Sequence, residues 1–228
     1  MASHNTRELT GDNATAWYWP AWAAQASLPT FQVRDTESSH GRYAQATKTV
    51  LVKDLVKFHG HACDGLFRGV IALSLALPRL FPDGVVDRTD LRVLSRNSPC
   101  LGDVAAYLTG ARVRFNTQDV RGEPGVWFVV QRGTAGETVR VTENAGVYPP
   151  ALTAEESRLT ATPSATTPQA LDALQAAQWD WVRTVLLATP WQALYTVTPV
   201  PDFVWESVPY KHAGQRTDVL FRDIPRDR

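Results

Sequence analysis

The sequence has little cysteine, no excess of charge of either sign and no long apolar run. Its 228 residues include two cysteines, and 23 basic residues balance 23 acidic ones. The balance argues against nucleic acid or an anionic membrane surface as the main partner. The longest uncharged apolar run, at 70–77 (VIALSLAL), is far shorter than the roughly 20 residues that span a bilayer. No apolar signal core is visible near the amino terminus, so we expect a cytoplasmic protein without a membrane partner.

The two cysteines are too few for a disulfide scaffold. One bridge between Cys63 and Cys100 is an option in an oxidising compartment. In a reducing compartment, two thiols near histidines are more useful as metal ligands.

Tryptophan, by contrast, is abundant: there are eight, of which three lie within 17–22 (WYWPAW). We expect this segment to pack across the domain surface or onto a partner subunit. The alternative is an aromatic wall over a ligand pocket, since tryptophan combines a large apolar area with one polar group.

The character of the chain changes twice, which predicts three parts. Residues 1–48 are an irregular, aromatic-rich segment, and residues 49–148 are a metal-binding α+β domain. Residues 149–228 form an extension, first helical and then extended, that packs on the domain or on a partner subunit.

Periodicity and turn residues predict the elements of the central domain. The predicted helices cover 51–58, 66–80 and 102–109, and the predicted strands cover 91–95, 111–116, 126–131 and 138–142. Pro78 and Pro82 are expected to close the second helix. A mixed or antiparallel sheet with helices on one face buries such a set, so the predicted fold class is α+β.

The extension carries its own helix signals. Thr153 and Glu156 have the spacing of a capping box, which predicts a short helix. Residues 160–168 (TATPSATTP) resemble a linker. Thr167 followed by Pro168 then opens a helix that runs to about residue 188.

The strongest chemical signal is the segment 58–63 (FHGHAC), on a glycine-containing turn between two predicted helices. It places His59, His61 and Cys63 within five residues. Zn²⁺ and Ni²⁺ favour this mixture of nitrogen and sulfur donors. Residues two apart on an extended turn need not converge, so one histidine is alternatively an outer partner or a base. A chance cluster without a ligand role is the other interpretation.

Two motifs resemble the FmdE-like family of formylmethanofuran dehydrogenase proteins. The string FHGHACDG, at 58–65, is similar to the family signature FHGHxCPG. The segment CLGDVA at 100–105, with Thr109-Gly110 after it, is similar to the family's C-x-x-D-A-x-Q and its following TG. Residues 136–141 (GETVRV) resemble the family's G-x-x-V-R-V, so the resemblance covers roughly residues 50–145.

The resemblance implies a bound transition metal. It gives His61, Cys63 and Cys100 as ligands, with His59 as a fourth ligand or a neighbour. Zinc is the expected ion; nickel and iron, including haem iron, are alternatives. The family also implies a homodimer, which the surplus of aromatic residues in both flanks favours.

The sequence departs from the family pattern in three places. Asp64 replaces the proline of the first motif, which adds a candidate ligand, base or turn residue. The family's glutamine after the second cysteine is missing. No cysteine follows Cys100 in the sequence, so the resemblance is to a divergent member without the cysteine-rich zinc ribbon.

Asp64 and Asp103 are the candidate catalytic residues. Asp103, one helical turn beyond Cys100, either orients a ligating histidine, accepts a proton or caps its helix. His212 is a possible further ligand from the extension, whereas His4 and His40 carry no signal beyond that of surface loop residues.

Three functions fit these residues. The first is a metal-binding accessory protein or sensor, possibly of a metallated cofactor such as haem. The second is a metal-dependent enzyme with an open coordination position, acting on a small molecule. The third is thiol redox chemistry, with Cys63 at lowered pKa and Cys100 as its resolving partner. A short sulfur–sulfur distance would favour the third.

Overall fold

The predicted α+β fold is confirmed by a computed structural model, which describes residues 16–38 and 41–206. The helices of this part are α1 (Ala21–Gln25), α2 (Val52–His59), α3 (Asp64–Leu80), α4 (Pro99–Thr109), α5 (Pro150–Ala161), α6 (Pro168–Trp181) and α7 (Trp191–Leu194). The strands are β1 (Thr30–Arg34), β2 (Lys48–Leu51), β3 (Val85–Asp87), β4 (Leu91–Arg96), β5 (Gln118–Arg121), β6 (Trp127–Arg132), β7 (Thr138–Glu143) and β8 (Tyr195–Pro199). His4, His40 and His212 lie outside the described residues.

The strands form two mixed sheets. The larger has the order β5-β4-β6-β7-β8, with β4 and β5 parallel and the other neighbours antiparallel. The smaller has the order β2-β1-β3, with β1 antiparallel to β2 and parallel to β3. β8 extends the larger sheet, so the segment after residue 149 adds a strand as well as helices.

The apolar helix α3 is the centre of the molecule. It packs on β6 and β7 of the larger sheet and against α4, which in turn contacts α2. Most of its side chains are buried, as its nearly continuous apolar sequence predicts. Because α2, α3 and α4 meet at their ends, the residues that terminate or begin them are brought together.

All three predicted parts contribute to one hydrophobic cluster. Trp19 and Phe31 from the first part and Trp181 and Tyr195 from the last are buried with the side chains of α3. The first part also contains β1, a strand in a segment for which the sequence predicted no regular structure. The division into 1–48, 49–148 and 149–228 stays a prediction.

The strand predicted at 111–116 is wrong. Val113–Phe115 forms a short 3₁₀ turn, and the strand β5 begins only at Gln118. Val113 and Phe115 are exposed, and Asn116 has a φ of 57°. The alternating pattern therefore has no buried face, and the left-handed residue turns the chain before it can pair.

Pro78 does not close α3 but lies inside it, and the helix ends at Leu80. A proline removes one helical hydrogen bond. Leu77 and Leu80 are nevertheless buried, and their packing outweighs that loss.

The elements of the extension differ in detail from those predicted. α5 begins at Pro150, ahead of the predicted capping box, and has no side-chain cap. Residues 160–168 include the end of α5 and a 3₁₀ turn at Pro163–Ala165. The predicted cap of α6 is confirmed, since the Thr167 hydroxyl accepts from the amide of Ala170 at 3.2 Å. The helix changes to a π-helical turn at Val182–Leu186 rather than continuing as one α-helix to residue 188.

A search of the described helices for a bilayer-spanning segment finds none that is both long enough and apolar enough.

Candidate metal centre

The candidate ligands lie where three helices meet. His59 is the last residue of α2, and Gly60 ends that helix with a φ of 105°, a conformation that glycine adopts without strain. Cys63 is the N-cap of α3, and its sulfur accepts a hydrogen bond from the amide of Leu66 at 3.3 Å. Cys100 lies in the first turn of α4. A backbone of regular helices thus fixes three of the four side chains.

His59, His61 and Cys63 form a group that could hold a metal ion. One ligand atom of each lies within 4.8 Å of those of the other two. His59 is buried and His61 is exposed, so the group extends from the interior to the surface. The sulfur of Cys100 lies 3.2 Å from that of Cys63, which places the fourth candidate beside the group.

The distances can be compared with those of a zinc site. Nitrogen and sulfur donors sharing a tetrahedral zinc ion lie about 3.6 Å apart, and two sulfur donors about 3.8 Å apart. Nε2 of His59 lies 3.6 Å from Sγ of Cys63. The two sulfurs, at 3.2 Å, need to separate by roughly half an ångström to share one ion. The donors therefore fit such an ion with a small adjustment of one side chain.

Asp103 holds the other nitrogen of His59. Its Oδ2 lies 2.8 Å from Nδ1 of His59, and it is a turn inside α4, whose N-cap is Ser98. The interpretation of Asp103 as a helix cap is therefore wrong. Burial alone would lower the pKa of His59, but hydrogen bonds with Asp103 and Cys100 outweigh burial and raise that pKa to about 9.

The two thiols differ in acidity. The hydrogen bond from Cys63 lowers the pKa of Cys100 to about 5, against the effect of burial and with support from His59. The hydrogen bond to Cys100, together with burial, raises the pKa of Cys63 well above its ordinary value. The expectation of a lowered pKa at Cys63 is therefore wrong, because the thiolate of the pair is Cys100.

Asp64, the first residue of α3, is buried beside this site. Burial raises its pKa to about 6, although Arg68 at 3.4 Å opposes the shift. The guanidinium of Arg68 also donates to Glu143 at 2.6 and 2.9 Å and lies 4.0 Å from the ring centre of Tyr148. Asp64 therefore belongs to an ion-paired cluster on the far side of the cysteine.

The extension touches the loop that carries the ligands. The indole N–H of Trp179, on α6, donates to the carbonyl oxygen of Ala62 at 2.9 Å. Trp22 from the first part of the chain packs on Trp179 and on Phe67 of α3, with ring centroids 6.1 and 5.2 Å apart. Sequence reasoning missed Trp179 and Arg68, because each acts through a partner at least 75 positions away.

Glycine at position 65 also has a structural reason. A Cβ added there would lie 3.0 Å from Sγ and 3.2 Å from Cβ of Cys100. The glycine that follows the first motif thus lets α3 and α4 approach closely enough for the two sulfurs to meet. Its place inside the motif was the only signal for this role in the sequence.

A family model described as FmdE, molybdenum formylmethanofuran dehydrogenase operon, matches residues 58–195. The chain belongs to the FmdE family. The match includes all four candidate ligands and runs through α5, α6 and α7, beyond the stretch 50–145 in which the sequence resemblance was recognised.

Two further comparisons accompany the FmdE match. The chain is similar to an FmdE-like protein of tungsten formylmethanofuran dehydrogenase type from Syntrophus aciditrophicus, known from a crystal structure. The two are 18% identical with a TM-score of 0.41, over 72% of this chain and 77% of that chain. None of the curated proteins compared with this FmdE-family chain matches it.

Proposed function

We propose that the protein binds one divalent transition-metal ion through Nε2 of His59, a ring nitrogen of His61 and the sulfurs of Cys63 and Cys100. The observation that carries this proposal is the alignment of Asp103, His59 and Cys63. Asp103 occupies Nδ1, which leaves Nε2 directed at the cysteine sulfur 3.6 Å away. A carboxylate behind a histidine that faces a sulfur is the usual outer support of a metal-ligating imidazole.

Zinc is the ion that the donor set favours. Two imidazoles and two thiolates are a common ligand set of tetrahedral zinc sites. Nickel and iron accept the same donor types, and haem iron is a further alternative. An absorption spectrum separates them, because zinc is colourless whereas haem and the other ions absorb visible light.

A metal-dependent enzyme is the second candidate, favoured by the exposure of His61. If Cys100 is not a ligand, the other three residues leave a position open toward solvent. A bound ion would there supply Lewis acidity to a small molecule or a water. Asp64, with its pKa raised to about 6, would be the proton acceptor, whereas Asp103 would hold His59 in place.

The test is the metal content of protein prepared without an affinity tag or chelator. We expect about one equivalent of zinc, nickel or iron per chain, and its loss in the double variant Cys63→Ala/Cys100→Ala. Glu137→Gln, at an exposed carboxylate on the turn before β7, is the control that should keep the ion. Wild-type protein that contains no metal and takes up none from solution would contradict the proposal.

Thiol redox chemistry is the third candidate, favoured by the 3.2 Å between the sulfurs of Cys63 and Cys100. Attack by the Cys100 thiolate on a Cys63 sulfur oxidised by a peroxide would give an intramolecular disulfide and release water. Metal-free protein treated with one equivalent of hydrogen peroxide should then lose both free thiols. Retention of both thiols, with Cys100→Ser as the reference that cannot form the bridge, would contradict this candidate.

We carry the homodimer and the cytoplasmic location forward as proposals. The family resemblance and the aromatic flanks support the dimer. Sedimentation at micromolar concentration tests it, and a monomeric protein would contradict it.

A further inference from the structure

Four residues after residue 177 fasten the extension to the rest of the molecule in different directions. Gln178 donates to Glu156 of α5 at 2.6 Å, and the ring of Trp181 packs edge-on against Tyr148 at 5.1 Å. Between them, Trp179 donates its indole hydrogen to Ala62, at a sequence separation of 117. Val182 and Leu186 of the π-helical turn that follows are completely buried.

The acceptor of the Trp179 hydrogen bond occupies a particular place in the ligand loop. Ala62 stands between His61 and Cys63, and its methyl group is buried whereas His61 is exposed. The carbonyl of Ala62 and the amide of Cys63 form one rigid peptide plane. Fixing the direction of this carbonyl therefore fixes the orientation at which the chain enters Cys63, and with it the position of the Cys63 sulfur.

The π-helical turn sets the position of Trp179. The amide of Val182 is shared between the carbonyls of Gln178 and Trp179, and the wider turn then runs to Leu186. Single π turns inside α-helices are rare and are found mostly at functional sites. Here the turn allows the buried residues of 181–186 to face the core while Trp179 keeps its direction toward the ligand loop.

We propose that Trp179 is a positioning residue for the metal centre: the extension holds the peptide between Ala62 and Cys63 in its ligating orientation through the indole N–H. This inference rests on the proposed function, since it assigns to the extension a part in the same metal site. Residues that hold metal ligands from outside change metal affinity by about 10- to 100-fold when they are replaced.

The same aromatic cluster offers a matched control. The indole N–H of Trp22 is buried and has no hydrogen-bond partner among residues 16–38 and 41–206. Trp22 and Trp179 are both partly buried and lie against one another. Trp22→Phe and Trp179→Phe thus make the same change in ring size, but only the second removes a hydrogen bond to the ligand loop.

The experiment compares Co²⁺ or Zn²⁺ affinity and the visible spectrum of the Co²⁺ form in wild type and both variants. We expect Trp179→Phe to weaken metal binding by about tenfold and to shift the Co²⁺ bands, which report ligand geometry. Trp22→Phe should leave the spectrum unchanged and the affinity within about twofold, a difference of less than about 0.5 kcal/mol. Wild-type affinity and spectrum in Trp179→Phe, or an equal loss in both variants, would overturn the positioning role.

A measurement on metal-free protein separates this inference from the proposed function. Amide exchange at Cys63 should be faster in Trp179→Phe than in wild type or Trp22→Phe, because the peptide plane is no longer held. If wild-type protein takes up no ion, the proposed function fails, and the exchange rates alone decide whether Trp179 fixes the loop. Equal exchange in all three proteins would overturn that as well.

Discussion

Nδ1 of His59 lies 2.8 Å from Oδ2 of Asp103, at the end of α2 and within α4 respectively. This contact determines which nitrogen of His59 is available to a ligand. The hydrogen on Nδ1 belongs to Asp103, and Nε2 is left facing Cys63. Because the pair joins two helices, the orientation of the imidazole depends on how those helices pack.

Asp103→Asn is expected to weaken metal binding by about 10- to 100-fold. The amide keeps the shape of the carboxylate, but it has no charge to stabilise the hydrogen on Nδ1 and increase the basicity of Nε2. Competition with a chromophoric chelator measures the affinity, with Glu137→Gln as a charge-removing control far along the chain. Unchanged affinity in Asp103→Asn would contradict the supporting role.

Metal binding at pH 7 is expected to release about two protons. The pKa of His59 is raised to about 9 and that of Cys63 is raised above its ordinary value, so both carry a proton at pH 7 that the ion must displace. The pKa of Cys100 is lowered to about 5, so it contributes none. Affinity should therefore rise with pH by about two log units per pH unit between pH 6 and 8.

Titration calorimetry in buffers of different ionisation enthalpy counts these protons. In Cys63→Ala the number should fall to about one, since His59 is then the remaining protonated ligand. Binding with no buffer dependence would show that the protonation states differ from those assigned here.

Gly65→Ala is expected to weaken metal binding by about tenfold. The added methyl group would lie 3.0 Å from the sulfur of Cys100, and displacement of a packed side chain costs about 1–3 kcal/mol. Gly102→Ala, on α4, is the control: its methyl group would meet Nε2 of Gln118 at 3.8 Å, an ordinary contact. It should stabilise metal-free protein by about 0.5–1 kcal/mol and leave affinity unchanged. Equal affinities of the two variants would contradict the prediction.

Arg68→Leu is expected to lower the free energy of unfolding by about 3–5 kcal/mol. It leaves the carboxylate of Glu143, whose side chain is 6% exposed, without its cation. Urea denaturation measures the loss, and the double variant Arg68→Leu/Glu143→Gln should recover much of it because the buried charge is gone. A double variant as unstable as Arg68→Leu would show that packing on Tyr148, rather than charge, is the larger effect.

The helices around the site could be predicted from the sequence because their signals are local. α2 and α3 differ from their predicted bounds by two residues or fewer at each end. The motif 58–63 has the apolar stripe of α2 on one side and the apolar run of α3 on the other, so its place between helices followed from periodicity. The approach of Cys100 to Cys63 followed only from the family resemblance, since they are 37 positions apart.

The parts that sequence reasoning did not predict depend on contacts between distant segments. β1 is five residues long and is stabilised by pairing with β2 and β3, which periodicity cannot detect. The π-helical turn at Val182–Leu186 has an ordinary helical sequence, and its register follows from which residues are buried. The acidity of Cys100 likewise arises from side chains on two other elements and not from its neighbours in the chain.

The distance between Cys63 and Cys100 has a consequence for the whole central region. An ion held by both sulfurs would act as a cross-link that closes a loop of 37 residues, which includes α3, β3 and β4. In the chain-entropy description, a closure of that length restricts the unfolded chain by about 4 kcal/mol, as a disulfide would. The most buried helix of the protein would then owe part of its thermal persistence to the supply of a trace element, so that a shortage of the element would be registered first as a loss of folded protein.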